Sequence, residues 1–366
     1  MKLKRIVGWI AGAISLALVA AALIAYWTSD NICSENIPIR GDRMKAAIYC
    51  DYGAPDVLKF VELEKPTAGD DQVLVRVRAA SVNPLDWHYI RGTPYFMRIQ
   101  AGLRKPKEIR LGVDFSGIVE AVGRNVKTFK AGDEVFGGRT GAFAEYVSVR
   151  ADRALALKPA KVTFEQAAAV PIAGITALQG LRDKGEIQPG QKVLINGASG
   201  GVGTFAVQIA KSLGADVTGV CSTKNVDLVR SIGADHVIDY TKEDFTKGAQ
   251  LYDVIVDNVG NHSLLECRRA LAPHGKYVIV GGQPGRWIDP LPRVVSVTLL
   301  SRFVSQDMRM FLAQLRQTDL NTLGDLMQAG KVTPVIDRRY RFSELPAAIG
   351  YVEAGHARAK VVITFD

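Results

Sequence analysis

A glycine-rich turn set between a strand-like and a helix-like run constrains this chain more than any other feature. Lys192 to Asn196 has an apolar centre, Val193-Leu194-Ile195, bounded by polar residues, which is the pattern of a buried parallel strand. The turn Gly197-Ala198-Ser199-Gly200-Gly201-Val202-Gly203 follows, and Thr204 to Lys211 then reads as the opening of a helix. At a helix N-terminus the first four backbone N–H groups have no intrahelical acceptor, and the helix dipole favours negative charge. A pyrophosphate reaches those groups only where no side chain intervenes, which is the service of Gly200, while Gly203 lets the helix lie close against the strand. A lone glycine string of this kind also serves ordinary tight turns. Here a second strand-like run over residues 216–221 completes the strand–turn–helix–strand unit that a dinucleotide site requires.

The end of that second strand selects the dinucleotide. A site for NAD places a carboxylate there to accept from the ribose 2′-OH. This chain reads Val220-Cys221-Ser222-Thr223-Lys224, with none. Ser222 and Thr223 can donate to a 2′-phosphate and Lys224 can neutralise it, so NADPH is expected over NADH. The same Ser222-Thr223 pair also suits the cap of a helix over 225–232.

At 366 residues the chain is too long for one ordinary core, so two domains are expected. Its formal charge of +9 does not point to nucleic acid, because basic residues are interleaved with acidic ones and no aromatic-flanked basic run occurs. A basic rim for a phosphorylated cofactor accounts for the excess. Cys33, Cys50, Cys221 and Cys267 have no paired spacing and read as free thiols in a reducing compartment.

The N-terminus carries a second strong signal. Lys2, Lys4 and Arg5 precede 22 uncharged residues from Ile6 to Trp27, rich in Ala, Leu, Ile and Val. A helix of that length crosses about 30 Å of hydrocarbon. Trp9 and the pair Tyr26-Trp27 stand where interfacial aromatics belong. A cleaved signal peptide is the competing reading, but its apolar core is shorter and Tyr26-Trp27-Thr28-Ser29-Asp30 is a poor cleavage site. The expectation is therefore a single-pass membrane anchor. Cations lie on both sides of the span (Arg40, Arg43 and Lys45 follow it), so charge barely orients it. The need for NADPH places the catalytic part on the cytoplasmic face.

From Met44 to about residue 160 short strands and turns alternate, including runs over 71–80, 111–123 and 131–137. From Phe164 helix and strand alternate instead: a helix over 164–181, the glycine-turn unit, strands at 235–240 and 252–257, a helix over 261–271 and a strand at 276–280. That order makes an α/β doubly wound parallel sheet. Short strands resume after residue 333, and the last covers 360–365.

Several motifs in one order resemble the medium-chain dehydrogenase/reductase superfamily, closest to its zinc-free, quinone-oxidoreductase-like branch. They are Gly112…Gly117…Gly123, Gly132-Asp133-Glu134-Val135, Phe143-Ala144-Glu145-Tyr146, the turn from Gly197, Gly233-Ala234-Asp235-His236-Val237-Ile238-Asp239-Tyr240, and Lys360-Val361-Val362. The resemblance covers residues 44–366. It leaves residues 1–43, read above as anchor and linker, as an addition, and implies a GroES-like β-rich catalytic domain over 44–165, to which 333–366 return. A Rossmann domain over 166–332 completes the chain, with cofactor and substrate in the cleft between. It adds Thr176, Tyr240, Asn258, Gly281 and Lys360 to the cofactor contacts at Gly197, Ser199, Gly200, Gly201, Val202, Gly203, Ser222, Thr223 and Lys224. A homodimer is compatible with it.

Zinc-containing relatives polarise a carbonyl with a metal held by Cys, His and a third ligand. The matching positions here read Asn83, Val113-Asp114 and Ile172-Ala173-Gly174, and the five histidines show no ligand spacing, so no metal is expected. What is left in the cleft is Asn83-Pro84-Leu85-Asp86-Trp87-His88-Tyr89. The resemblance puts Asn83 and Asp86 beside nicotinamide and substrate. From its chemistry, Asn83 offers donors to a carbonyl oxygen, and His88 or Tyr89 could supply a proton. Helix capping by Asp86 and core packing by Trp87 are the competing readings. Charge spreads over a conjugated acceptor during reduction, so a site without metal suits quinones and α,β-unsaturated carbonyls. A zinc-type alcohol dehydrogenase or aldehyde reductase and a tethered NADPH-binding scaffold without turnover are the alternatives. The aromatic, apolar and basic stretch 92–107 has three readings: a substrate lid, a bilayer contact, or a helix packed on the cleft rim.

Overall fold

Two sheets carry the architecture of the computed structural model, which describes Ala20, Ile24, residues 41–282, Ser296, Val297, and residues 304–355 and 357–365. The span expected from Ile6 to Trp27 thus lies, but for Ala20 and Ile24, outside the described residues. Among those described, no helix is long and apolar enough to cross a membrane.

The first sheet begins beside a hairpin of β1 (Arg43–Tyr49) and β2 (Leu58–Glu64). Its central strand is β3 (Gln72–Val82), which pairs antiparallel with β4 (Asp114–Val122). Beyond β4 lie β5 (Glu134–Gly138) and β7 (Leu155–Leu157), and β6 (Tyr146–Arg150) pairs with the start of β3. Charged Arg76 and Arg78 alternate along β3 with buried Val75, Val77 and Ala79, so one face of that stretch turns to the core.

The second sheet is wholly parallel. Its strands are β8 (Lys192–Asn196), β9 (Asp216–Cys221), β10 (His236–Asp239), β11 (Tyr252–Asp257), β12 (Leu271–Ile279) and β13 (Asp307–Met310), in spatial order 10-9-8-11-12-13. Covered on both faces, its strands are continuous apolar runs: Val193, Leu194 and Ile195 have no exposed surface, each burial contributing about 1.5–3 kcal/mol. The chain then returns to the first sheet, where β15 (Lys360–Thr364) pairs with β3 and with β14 (Ile336–Arg341) at the edge.

Two helical boundaries differ from expectation for local reasons. The helix expected over 164–181 is divided into Phe164–Ala168 and Pro171–Leu178, because Pro171 has no N–H to continue the first. A wider π-turn, Gln179–Gly185, then closes it. The helix expected over 261–271 is trimmed to Leu264–Arg269, started by Ser263, whose Oγ accepts from the Glu266 N–H. The cysteines also need correction. Cys221 and Cys267 are buried and outside any disulfide, but Cys50 is disulfide-bonded, because spacing along a chain does not report distance in space.

Candidate active site

Every position on the parallel sheet that the sequence assigns to the cofactor falls at its carboxyl edge. Gly197–Gly203 follows β8, Ser222–Lys224 follows β9, Tyr240 follows β10, Asn258 follows β11 and Gly281 lies just past β12. The order reverses between β8 and β11, and a crevice at such a switch point is where doubly wound sheets take ligands. In the turn, Gly200 caps the helix Gly201–Ser212, and the first intrahelical donor is the Thr204 N–H to the Gly200 carbonyl. The amides of Gly201, Val202 and Gly203 precede it. The two glycines serve different ends. A Cβ on Gly203 would stand 2.1 Å from the Gly197 oxygen, so that glycine is required by the fold itself. A Cβ on Gly200 would meet only the same oxygen, at 3.4 Å, so the protein alone does not require a glycine there.

Two buried acceptors along this edge have no partner, Asn225 Oδ1 and Asn258 Oδ1. An orphaned buried acceptor costs about 1–3 kcal/mol, so each is open to a donor from water or from a bound molecule. Asn225 also donates to Ser199 Oγ at 3.0 Å and Ser222 Oγ at 3.2 Å, bonds that do not use either hydroxyl proton. Ribose hydroxyls and a phosphorylated cofactor suit this edge. Thr223 suits it less than expected, because its hydroxyl donates to Asp239 Oδ2 at 2.6 Å. That bond, first among several, holds the Asp239 carboxyl down at about 2. Lys224 and Tyr240 are exposed, the tyrosine by 59%. Thr176 spends its proton on the Ile172 carbonyl of its own helix.

The three stretches that match zinc-ligand positions come together, and the group between them is Lys360. Its Nζ donates to Asn83 Oδ1 at 2.6 Å and to the Val82 carbonyl at 3.3 Å, and lies 3.6 Å from Asp114 Oδ2. Asp114 Oδ2 accepts from Asn83 Nδ2 and Ser81 Oγ, both at 2.9 Å, and its Oδ1 accepts from the Ile172 N–H at 3.0 Å. Asn83, Asp114, Ser81 and Lys360 are all at most 3% exposed. Burial pushes the Asp114 carboxyl up and the Lys360 ammonium down, each opposed first by the other's charge. As a zinc site the set is wrong: it offers one carboxylate, with an ammonium already in place. No group of three His, Cys, Asp or Glu suited to a metal occurs among the described residues.

Asp86 lies next to this network and caps the helix Pro84–Arg91. Its Oδ2 accepts from the Asn83 N–H at 2.7 Å and its Oδ1 from the Gly112 N–H at 3.2 Å. Burial outweighs those bonds and pushes its carboxyl up to about 7. His88 stacks on Trp87, with ring centroids 3.6 Å apart, and its Nδ1 lies 2.8 Å from the Thr93 carbonyl. A carbonyl only accepts, so Nδ1 carries the proton, and burial lowers the pKa of the ring. His88 is thereby a poor proton donor. Tyr89 is half-buried against the cluster around Tyr49, Ile90 and Leu345. The stretch 92–107 is packed down by Arg98, whose guanidinium lies over Tyr52 and Tyr95, by Tyr52 Oη on the Gly102 carbonyl, and by the Lys105–Asp51 pair.

Lys360 also joins the two halves of the site. The preceding Ala359 donates its N–H to the Ser199 carbonyl at 2.8 Å, and Cδ of Lys360 would lie 3.2 Å from a Cβ on Gly201. One lysine side chain therefore spans from the glycine turn to Asn83. Asn225, Ser81 and the pairing of Lys360 with Asp114 had no sequence signal; Asp114 was read only as part of a missing zinc set.

Comparison with known proteins identifies the family. Residues 69–159 match the alcohol dehydrogenase GroES-like domain, and residues 232–363 match the zinc-binding dehydrogenase model. A 2-methylene-furan-3-one reductase of Solanum lycopersicum is 35% identical over 335 residues, covering 87% of this chain and 79% of that protein. A chloroplastic NADPH-dependent alkenal/one oxidoreductase of Arabidopsis thaliana has the same identity and coverage. The solved quinone oxidoreductase from Coxiella burnetii is 32% identical, with a TM-score of 0.76 over 88% of this chain and 99% of its own. On these matches the chain belongs to the medium-chain dehydrogenase/reductase superfamily, in its zinc-free, quinone-oxidoreductase-like branch.

Proposed function

We propose that this chain is an NADPH-dependent oxidoreductase that reduces α,β-unsaturated carbonyls or quinones, held at a membrane by residues 6–27. The observation that carries the reading is the joining of the glycine turn, by Lys360, to a polar cluster whose residues do not suit a metal. When bound, NADPH supplies a hydride. The amides of Gly201, Val202 and Gly203 hold its pyrophosphate, Ser199, Ser222 and Asn225 its adenosine ribose, and Lys224 with Tyr240 the 2′-phosphate. Asn258 and Gly281 line the nicotinamide end, and Asn83 faces the acceptor's oxygen. Asp86 holds the start of the helix Pro84–Arg91 in place rather than meeting the substrate.

The relatives' names support the acceptor class, since they include alkenal, furanone and quinone reductases. The uncharged N-terminal run supports the tether, and the need for cytosolic NADPH supports a cytoplasm-facing domain. Assembly as a homodimer is part of the same proposal. The test is stopped-flow oxidation of bound NADPH by the full chain against a panel of enones and quinones. Rapid oxidation by conjugated acceptors and none by saturated ketones is expected. Binding with no oxidation by any acceptor would leave a cofactor-binding scaffold instead.

A further inference from the structure

The charges on either side of Asn83 decide which way its amide faces. With Oδ1 on the Lys360 ammonium at 2.6 Å and Nδ2 on the Asp114 carboxylate at 2.9 Å, both contacts are attractive. Turned over, the amide would set oxygen against carboxylate and N–H against ammonium, in a buried site where neither is screened. One Nδ2 proton is spent on Asp114. The other has only the Ser81 carbonyl at 3.5 Å, beyond a good N–H···O distance. Asn83 therefore holds one fixed donor with capacity to spare.

We infer that Lys360 is a positioning residue of the reduction, which orients the Asn83 amide and strengthens its spare N–H as a donor to the acceptor's carbonyl oxygen. This rests on the enone-reductase reading. In the reaction that bound NADPH would supply, its dihydronicotinamide C–H bond would break as hydride adds to the β-carbon, leaving NADP+; the C=C electron pair would move through the α-carbon onto that oxygen, and a solvent proton would complete the saturated carbonyl. The negative charge passes through the oxygen, so a donor whose second proton has no acceptor at good distance among the described residues acts where charge develops. An ammonium on Oδ1 draws electron density from the amide and makes Nδ2–H the better donor. A simple enone depends on this help. A quinone, which spreads the charge over two oxygens and a ring, depends on it less.

The variant is Lys360→Met in the full chain, with Asn83→Leu and the double variant beside it. At saturating NADPH, single-turnover hydride transfer to a simple enone is expected to fall about 100-fold, the scale of a lost oxyanion donor, and that to a quinone under about tenfold. Because Lys360 acts through Asn83, the double variant should be no slower than Asn83→Leu alone. A readout without turnover is the affinity for 4-nitrophenolate, an enolate mimic whose absorption band reports its ionisation. It should fall in both single variants. If Lys360→Met does not fold, Lys360→Gln keeps a donor to Oδ1 without the charge and should show a smaller loss of the same kind. A loss confined to NADPH affinity, with saturated rates intact, would overturn the inference, as would equal losses on enone and quinone. A wild-type chain that oxidises no NADPH would remove the reductase reading itself.

Discussion

Asp86 offers a quantitative test of how the start of the helix Pro84–Arg91 is built. Its carboxyl is buried and pushed from the ordinary 3.8 up to about 7, chiefly by loss of water, against the pull of the Asn83 and Gly112 N–H groups. The folded chain thus binds this proton more tightly than the unfolded chain. The resulting stability is fully present below about pH 4 and is lost as pH rises through about 7. A shift of roughly three units at about 1.4 kcal/mol each gives about 4 kcal/mol in all, of which about 2.5 kcal/mol falls between about pH 5 and about pH 8. Asp86→Asn removes this dependence while keeping the shape and one acceptor. Urea unfolding of wild type and variant at the two pH values gives a double difference in which other titrations largely cancel. The variant should gain on the wild type by about 2.5 kcal/mol as pH rises over that range. A pH-independent difference would mean that the carboxyl is ionised throughout and that the two N–H bonds outweigh burial.

Further outcomes follow from the cofactor edge and the cysteines. Lys224→Ala should weaken NADPH roughly ten- to a hundredfold and leave NADH nearly unchanged, as a charge-assisted phosphate contact of about 1.5–3 kcal/mol requires; equal losses in titration would refute the assignment. Gly203→Ala should lower the melting temperature, since its Cβ meets backbone oxygen at 2.1 Å. Gly200→Ala should keep the melting temperature and lose NADPH affinity, and a variant that keeps both would remove the pyrophosphate from that turn. Mass-spectrometric alkylation should find Cys221 and Cys267 reactive only on unfolding, and Cys50 only after reduction.

What the sequence made legible was local. The strand Lys192–Asn196, its glycine turn and the following helix are contiguous, so their spacing along the chain is their geometry in space. Asn83, Pro84 and Asp86 likewise form a helix start that can be read as letters: a cap, a proline at the first position and an acidic residue at the third. Pro171 announced a break that the apolar run 164–181 concealed. The polar cluster was illegible for the opposite reason. Ser81 and Asn83 meet Asp114 across the β3–β4 pairing, Ile172 joins them from its helix, and Lys360 arrives because β15 returns beside β3 after some 280 residues of intervening chain. Thr223 shows the same limit, since its proton goes to Asp239, sixteen positions on.

A fixed ammonium in place of a metal has consequences for the acceptors such a site can serve. A zinc ion binds the carbonyl oxygen directly, because one coordination position stays open. Lys360 is 3% exposed and already gives its protons to Asn83 Oδ1 and the Val82 carbonyl, so its charge reaches a substrate only through the amide of Asn83. That amide is neutral, and a neutral donor stabilises developing negative charge less than a cation does at the same distance. A simple ketone concentrates the whole charge on one oxygen and needs the stronger group. A conjugated acceptor spreads the charge before the protein intervenes, so the weaker donor suffices. The same burial that makes the cluster a poor metal site keeps it in one geometry, since Lys360 and Asp114, the latter held by Ser81 and Ile172, leave the Asn83 amide a single favourable orientation. On this view the site gives up strength of polarisation and keeps precision of placement, which is the combination that conjugated acceptors require.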